Sequence, residues 1–205
     1  MPISGIASTS MMLMVRSDFP AHDLKGFLKH SEKLSQPMAV GYGSSSAQVA
    51  LAQLTKVSDV KFMGVPYKAT PQALTDLIGG QVPAAIVDVS NGVAHMKSSK
   101  LLALSITGEK RSSAAPDVPT VGELFPGTQL VTWVGLVGRA GTPQPILDKL
   151  RGAVTEALNS PELKQQLATQ ATDLEPMTGQ EMGDRMRRDQ AHWLELIKAA
   201  GIEPK

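Results

Sequence analysis

Between Val65 and Val82 the chain reads Val65-Pro-Tyr-Lys-Ala-Thr70-Pro-Gln-Ala-Leu-Thr-Asp-Leu-Ile-Gly-Gly-Gln-Val82, the stretch that most constrains its fold. It predicts the end of a strand, a sharp turn, a capped helix, a Gly-Gly stop and a new strand. Thr70 stands where an N-cap hydroxyl holds orphan amides, and Pro71 suits the first helical position. Leu74, Leu77 and Ile78 recur at helical spacing, so one face is apolar. Gly79-Gly80 can take the left-handed conformation that ends a helix, and Val82 restarts apolar chain.

The same alternation recurs through the first 106 residues. Short apolar runs at Met11–Val15, Met38–Val40, Val60–Met63, Val82–Val87 and Leu101–Ile106 read as strands. Helical patterns separate them at Asp23–Leu34, Ala47–Thr55, from Pro71, and near Gly92–Lys97. Strands alternating with short helices predict an α/β fold with a mainly parallel sheet covered on both faces. A Pro-rich passage, Ala115-Pro-Asp-Val-Pro-Thr120, precedes a short helix at Val121–Leu124 and a strand at Leu130–Val137. After Gly141-Thr-Pro143 the pattern is helical. One helix runs from Pro143 to Leu158 with Thr142 as its expected cap, a second opens at Ser160-Pro161-Glu162, and a third opens with the capping box Thr178-Gly-Gln-Glu181. The chain therefore divides into an α/β part, residues 1–130, and a crossing strand with C-terminal helices, residues 131–205.

Composition removes several functions. The 205 residues carry a formal net charge of +1, and no basic stripe with interleaved aromatics points to nucleic acid. The densest basic cluster, Arg185-Met-Arg187-Arg188, sits inside a helical pattern and reads as a solvated face. The chain has no cysteine, which excludes disulfides, thiolate metal sites and a Cys nucleophile. No apolar run is long enough to span a bilayer. Met1-Pro-Ile-Ser-Gly-Ile-Ala7 lacks a charged region ahead of an apolar one and does not read as a signal peptide. His22, His30, His95 and His192 show no metal-ligand spacing, and no Walker or dinucleotide motif occurs, so no metal or cofactor is expected.

The strongest candidate site is Gly41-Tyr42-Gly43-Ser44-Ser45-Ser46-Ala47-Gln48, which follows a strand and opens a helix. Free amides and the helix dipole favour an anion there, and three hydroxyls can wrap a carboxylate without a buried Lys or Arg. The bland reading is a Ser-rich helix cap. Thr70 is the second candidate, because ligands gather at the carboxyl ends of parallel strands; it can equally serve only as a cap. Asp88 ends the strand Val82–Val87 and suits an acceptor for a ligand hydroxyl, amine or water, or a cap for the next helix. An enzyme reading also exists. Gly43-Ser-Ser45-Ser-Ala47 is a loose nucleophile elbow, and Asp88 or Asp117 with His192 keeps the hydrolase order. The last Gly of that motif is replaced, however, and His192 lies in a helical pattern.

In order and spacing, the Val65–Val82 stretch, Lys110-Arg111-Ser-Ser-Ala-Ala-Pro-Asp117-Val-Pro-Thr-Val-Gly-Glu123, Trp133-Val-Gly135 with Ala140-Gly-Thr-Pro143, Ala157-Leu-Asn-Ser-Pro161-Glu162 and Thr178–Glu181 resemble the tripartite tricarboxylate transporter substrate-binding proteins, the Bug family. The resemblance covers essentially the whole chain. It implies a type II periplasmic-binding-protein fold: one three-layer α/β lobe plus the C-terminal helices of an incomplete second lobe. It implies no catalysis. A small organic carboxylate would be held in an interlobe cleft, with the membrane components of a tripartite transporter as partners and a periplasmic location.

The residues it assigns to the ligand are the loop Tyr42–Ser46, Thr70, Asp88 and, at the lobe crossing Ser8-Thr9-Ser10, Thr9. Gln48 stands where a His is often found, and the family's opening strand and Pro-Gly-Gly type loop have no counterpart here, which implies a truncated first lobe. An effector-sensing domain of a transcriptional regulator shares the two-lobed pattern, although no helix-turn-helix is visible.

Overall fold

The computed structural model describes residues 1–169, 171–199 and 201–202; residues 203–205 of the expected C-terminal part lie outside them. The chain opens with a 15-residue strand, β1 (Pro2–Arg16), followed by α1 (Leu24–Glu32), β2 (Met38–Tyr42), α2 (Ser45–Ser58), β3 (Phe62–Pro66), α3 (Thr70–Ile78), β4 (Ala84–Asp88), α4 (Val89–Met96) and β5 (Leu101–Ile106). After the short α5 (Val121–Leu124) come β6 (Val131–Val137), α6 (Gln144–Asn159), α7 (Pro161–Thr169), β7 (Asp173–Met177) and α8 (Gly179–Ala199).

The strands lie in the order β3-β2-β4-β1-β5, and β6 and β7 also pair with β1. Parallel pairing is confined to β2 with β3 and β2 with β4; β1 is antiparallel to all four of its neighbours. The expected mainly parallel sheet is therefore corrected. The helical crossovers from β2 through β4 do produce parallel strands, but β1 enters from the opposite direction and inserts between β4 and β5. Hydrophobic periodicity reports strands without reporting their direction.

Strand β1 serves two groups. Residues 11–16 pair with β4 and β5, and residues 2–10 pair with β6 and β7. In the first group the pleat divides the core. Met11, Leu13 and Val15 join Phe27, Leu28, Val49 and Leu54 on one face, while Met12 and Met14 join Leu74, Leu77 and Val89 on the other. Gly92 permits the second contact: a Cβ there would meet the Met12 sulfur at 2.4 Å. Thr107 fastens the two groups together. Its Oγ1 accepts from the Met11 amide at 2.9 Å and donates to the Leu130 carbonyl at 2.6 Å, and its own amide and carbonyl bond Met11 and Leu130 at 2.8 Å.

Several local expectations change. Thr70 is the first residue of α3, not its cap, and Ala69 occupies the N-cap position without a side-chain bond. Gly79 stays right-handed, and Gly80 takes the positive φ of 75°. Thr142 does not cap α6; its hydroxyl turns back to the Arg139 carbonyl at 2.8 Å, and Pro143 is the N-cap residue. The Thr178–Glu181 capping box forms as expected, with Glu181 accepting from the Thr178 amide at 2.7 Å. Arg185 is not solvated: it pairs with Glu175 and Asp189 and lies 5.6 Å from the Trp133 ring centre.

Candidate functional site

Three strands deliver their carboxyl ends to one place, and each is followed at once or within a few residues by a helix. Strand β2 runs into α2, β3 into α3, and β4 into α4. Because β2, β3 and β4 run the same way, the N-termini of these helices converge there. Ser44 caps α2, accepting from the Ala47 amide at 3.2 Å. Helix geometry leaves the first amides of α2, those of Ser45 and Ser46, without intrahelical acceptors, and the helix dipole adds partial positive charge there.

Gly43 locks the β2 loop against the β3 loop. A Cβ on Gly43 would lie 2.2 Å from the Thr70 nitrogen and 2.3 Å from the Ala69 carbonyl carbon, so no other residue fits without moving backbone. The Tyr67 amide donates to the Tyr42 carbonyl at 2.8 Å and secures the same junction. Thr70 is buried, and its hydroxyl donates to Asp88 Oδ2 at 3.0 Å, joining the β3 loop to the end of β4. Asn91, one turn into α4, also reaches Asp88 Oδ2, at 3.5 Å. Two neutral donors, the Thr70 hydroxyl and the Asn91 side-chain amide, thus hold the Asp88 carboxylate.

The sequence-predicted residues fall into three sets. Gly43, Ser44, Ser45, Thr70 and Asp88 share the strand-end cluster. Ser46 stands between that cluster and a neighbouring groove of about 760 Å³, lined by Thr132, Trp133, Asp189 and Trp193. The Tyr42 ring points elsewhere: it crosses β3, where a Cβ on Gly64 would meet it at 2.9 Å, and joins the core.

Thr9 lies opposite Thr132, two residues beyond the Met11–Asp88 pair, and lines a separate groove with Lys110, Arg111 and Asp173. Its Oγ1 is buried without a partner among the described residues. Of the hydrolase residues, Asp88 is engaged by Thr70 and His192 is exposed on α8. Among the described residues no group of three or more His, Cys, Asp or Glu is placed to hold a metal, and no helix is long and apolar enough to cross a membrane.

Sequence reasoning missed Asn91, although its position three residues after Asp88 was a usable signal. It also missed the floor of the groove, where Trp133 Nε1 donates to Asp189 Oδ2 at 2.7 Å. Those partners are 56 residues apart, and no local pattern connects them.

This arrangement is the α/β fold of the periplasmic binding proteins. The tripartite tricarboxylate transporter family receptor matches residues 1–202, and the chain belongs to that family. Among curated proteins it is 27% identical over 202 residues to the UPF0065 protein in the tcbD-tcbE intergenic region of Pseudomonas sp. (strain P51), covering 96% of this chain and 60% of that relative. Among solved structures it resembles a TctC solute-binding protein from Polaromonas, with a TM-score of 0.83 and 28% identity, covering 96% of this chain and 68% of the other. It also resembles MatC from Rhodopseudomonas palustris, solved with bound malate, with a TM-score of 0.80 and 27% identity over 96% of this chain and 69% of MatC.

Proposed function

We propose that this chain binds a small organic carboxylate at the carboxyl ends of β2, β3 and β4, as the receptor component of a tripartite tricarboxylate-type transporter. The observation that carries this reading is the locked cluster itself. Gly43 is pressed against Ala69–Thr70, and Thr70 is bonded to Asp88, so three loops present the first amides of α2 as one preorganised surface. The ligand carboxylate takes the Ser45 and Ser46 amides and nearby hydroxyls, while Asp88 accepts from a hydroxyl, amine or water. Thr70 acts by holding Asp88 in place. Malate in MatC supports this ligand class, since it carries both carboxylate and hydroxyl groups.

In this reading residues 1–130 form the ligand-binding lobe and residues 131–205 supply the crossing strand and helices of the other lobe. Closure of the two around the ligand reports occupancy to the membrane components, and the setting is the periplasm. The role is binding without bond-making. Because this chain spans about 60% of the Pseudomonas relative, the contacts it offers amount to part of a cleft, and its affinity alone is weak.

A thermal-shift screen against mono-, di- and tricarboxylates tests the reading. The expected result is stabilisation by millimolar acid of one class, lost in Asp88→Ala and Ser46→Ala. Stabilisation that both variants retain contradicts the site, and submicromolar calorimetric binding contradicts the partial cleft.

A further inference from the structure

Strand β5 reads Leu101-Leu-Ala-Leu-Ser105-Ile106, an apolar run broken by a single hydroxyl. Ser105 is 1% exposed, and its Oγ bonds no described residue. Its placement follows from the pairing with β1. The register shifts between Leu13 and Met14: Ser105 lies opposite Leu13, Ala103 opposite Met14, and Leu104 is the extra residue. A bulge of this kind re-aims side chains. Leu104 packs with Leu13 in the core cluster beneath α2, and Ser105 borders a small cavity against the same helix.

The cavity has a volume of about 20 Å³ and lies among β1, α2, β4, β5 and α5. Its lining is mostly apolar, with four polar side chains, Gln53, Ser105, Thr107 and Thr128, each buried. A single water needs roughly 10–15 Å³ on this scale, and two to four polar partners. The space therefore fits one water and is too small for an organic ligand. A hydroxyl buried without a partner is costly, so a polar lining of this size takes up a water and does not stay dry.

We propose that this cavity is a site for one structural water, held by Ser105 Oγ, the Gln53 carboxamide and Thr107 Oγ1. The hydrogen-bonding capacities match. Thr107 Oγ1 gives its hydrogen to the Leu130 carbonyl and accepts from the Met11 amide, which leaves one lone pair to accept again. Gln53 Nε2 donates to the Gln129 carbonyl at 3.4 Å, which leaves the carboxamide oxygen as an acceptor. The water accepts the Ser105 hydrogen and donates its own two to these oxygens. It thereby joins α2 and β5 at the junction that Thr107 fastens to Met11 and Leu130. Every lining residue lies between Leu13 and Thr128, so the site stands apart from the first half of β1 and from the cluster of Ser45, Thr70 and Asp88.

The test is a high-resolution crystal structure of this chain, with the melting temperature of Ser105→Ala measured beside that of the parent. The expected result is one ordered water within hydrogen-bond distance of Ser105 Oγ and the Gln53 carboxamide. Ser105→Ala leaves that water a partner short and lowers the melting temperature by about 2–4 °C. The parent structure decides occupancy by itself, whether or not the variant folds. A cavity without density, or a Ser105 hydroxyl bonded directly to protein, overturns the proposal. So does a melting temperature that stays level or rises in Ser105→Ala, the result expected when an unsatisfied hydroxyl is removed from a dry core.

Discussion

The two halves of β1 run through different surroundings. From Met11 to Val15 every residue is buried, with helices packed on both faces and β4 and β5 alongside. From Pro2 to Ser10 the same strand lies between β6 and β7, and β6 leaves Val134, Leu136 and Val137 in contact with solvent. The buried hydrophobic residues follow this division. Residues 11–130 supply the buried residues of both core clusters apart from Ala171, while among the described residues the region after Val131 buries only Leu147, Leu158, Ala171 and Met182 of its apolar side chains, with Trp193, Leu196 and Ile197 partly buried against the first cluster. One part packs helices on both faces of its sheet, and the other buries far fewer apolar residues. The proposed ligand site belongs to the part whose sheet carries helices on both faces.

The largest expected effect separates the two directly. Phe27 is fully buried between Phe19 and Phe62, and Phe27→Ala lowers stability by about 3–5 kcal/mol in denaturant unfolding. Leu150→Ala, on the exposed flank of α6, changes the stability of the monomer by less than about 0.5 kcal/mol. Comparable losses at both positions break the comparison.

Gly43→Ala comes next. The added methyl meets Ala69–Thr70 backbone and costs about 1–3 kcal/mol in strain, and it separates the β2 and β3 loops, so carboxylate-induced stabilisation disappears. Thr107→Val sharpens the boundary between the halves. It strips one hydrogen bond each from the Met11 amide and the Leu130 carbonyl, and unfolding shows a loss of about 2 kcal/mol with reduced cooperativity between them.

The smallest effect is electrostatic. The Arg111 guanidinium, bonded to both Glu123 oxygens, and the Thr120 amide hold the Glu123 carboxyl at about 2, below its ordinary 4.5. A depressed carboxyl stabilises the fold above pH 4.5 and loses that contribution as pH falls toward 2. The difference in melting temperature between the parent and Glu123→Gln is therefore small at neutral pH and vanishes across that acid interval. A gap that widens on acidification contradicts the assignment.

Much of this was legible in the residues. The alternating short strands and helices through Ile106 place every element of the first group within a few residues, because each buries a periodic apolar face. The capping box at Thr178 was equally readable, being local chemistry. What escaped depends on partners far away in sequence. The first half of β1 holds Ser4, Gly5, Ser8, Thr9 and Ser10, whose backbone rather than side-chain pattern makes the strand. Strand β7 contains Pro176 and two acids, and it forms because β1 offers an edge.

At the site, Ser44, Ser45, Ser46 and the convergence of strand ends followed from strand-to-helix spacing, and the role of Thr70 did not. A Thr followed by Pro reads as a cap, yet burial against Asp88 gives its hydroxyl a better acceptor, 18 residues away. Tyr42 reads as part of the loop, but the absent side chain of Gly64 opens a place for its ring in the core.

The most direct test of the central claim is an amide-resolved NMR titration of this chain with malate and other small carboxylates at millimolar concentration. The account predicts saturable shifts concentrated at Ser45, Ser46, Ala47, Thr70 and Asp88, with Gly43→Ala abolishing them. Shifts confined to the Thr9 groove or to the β6 edge, or none at any concentration, would contradict it.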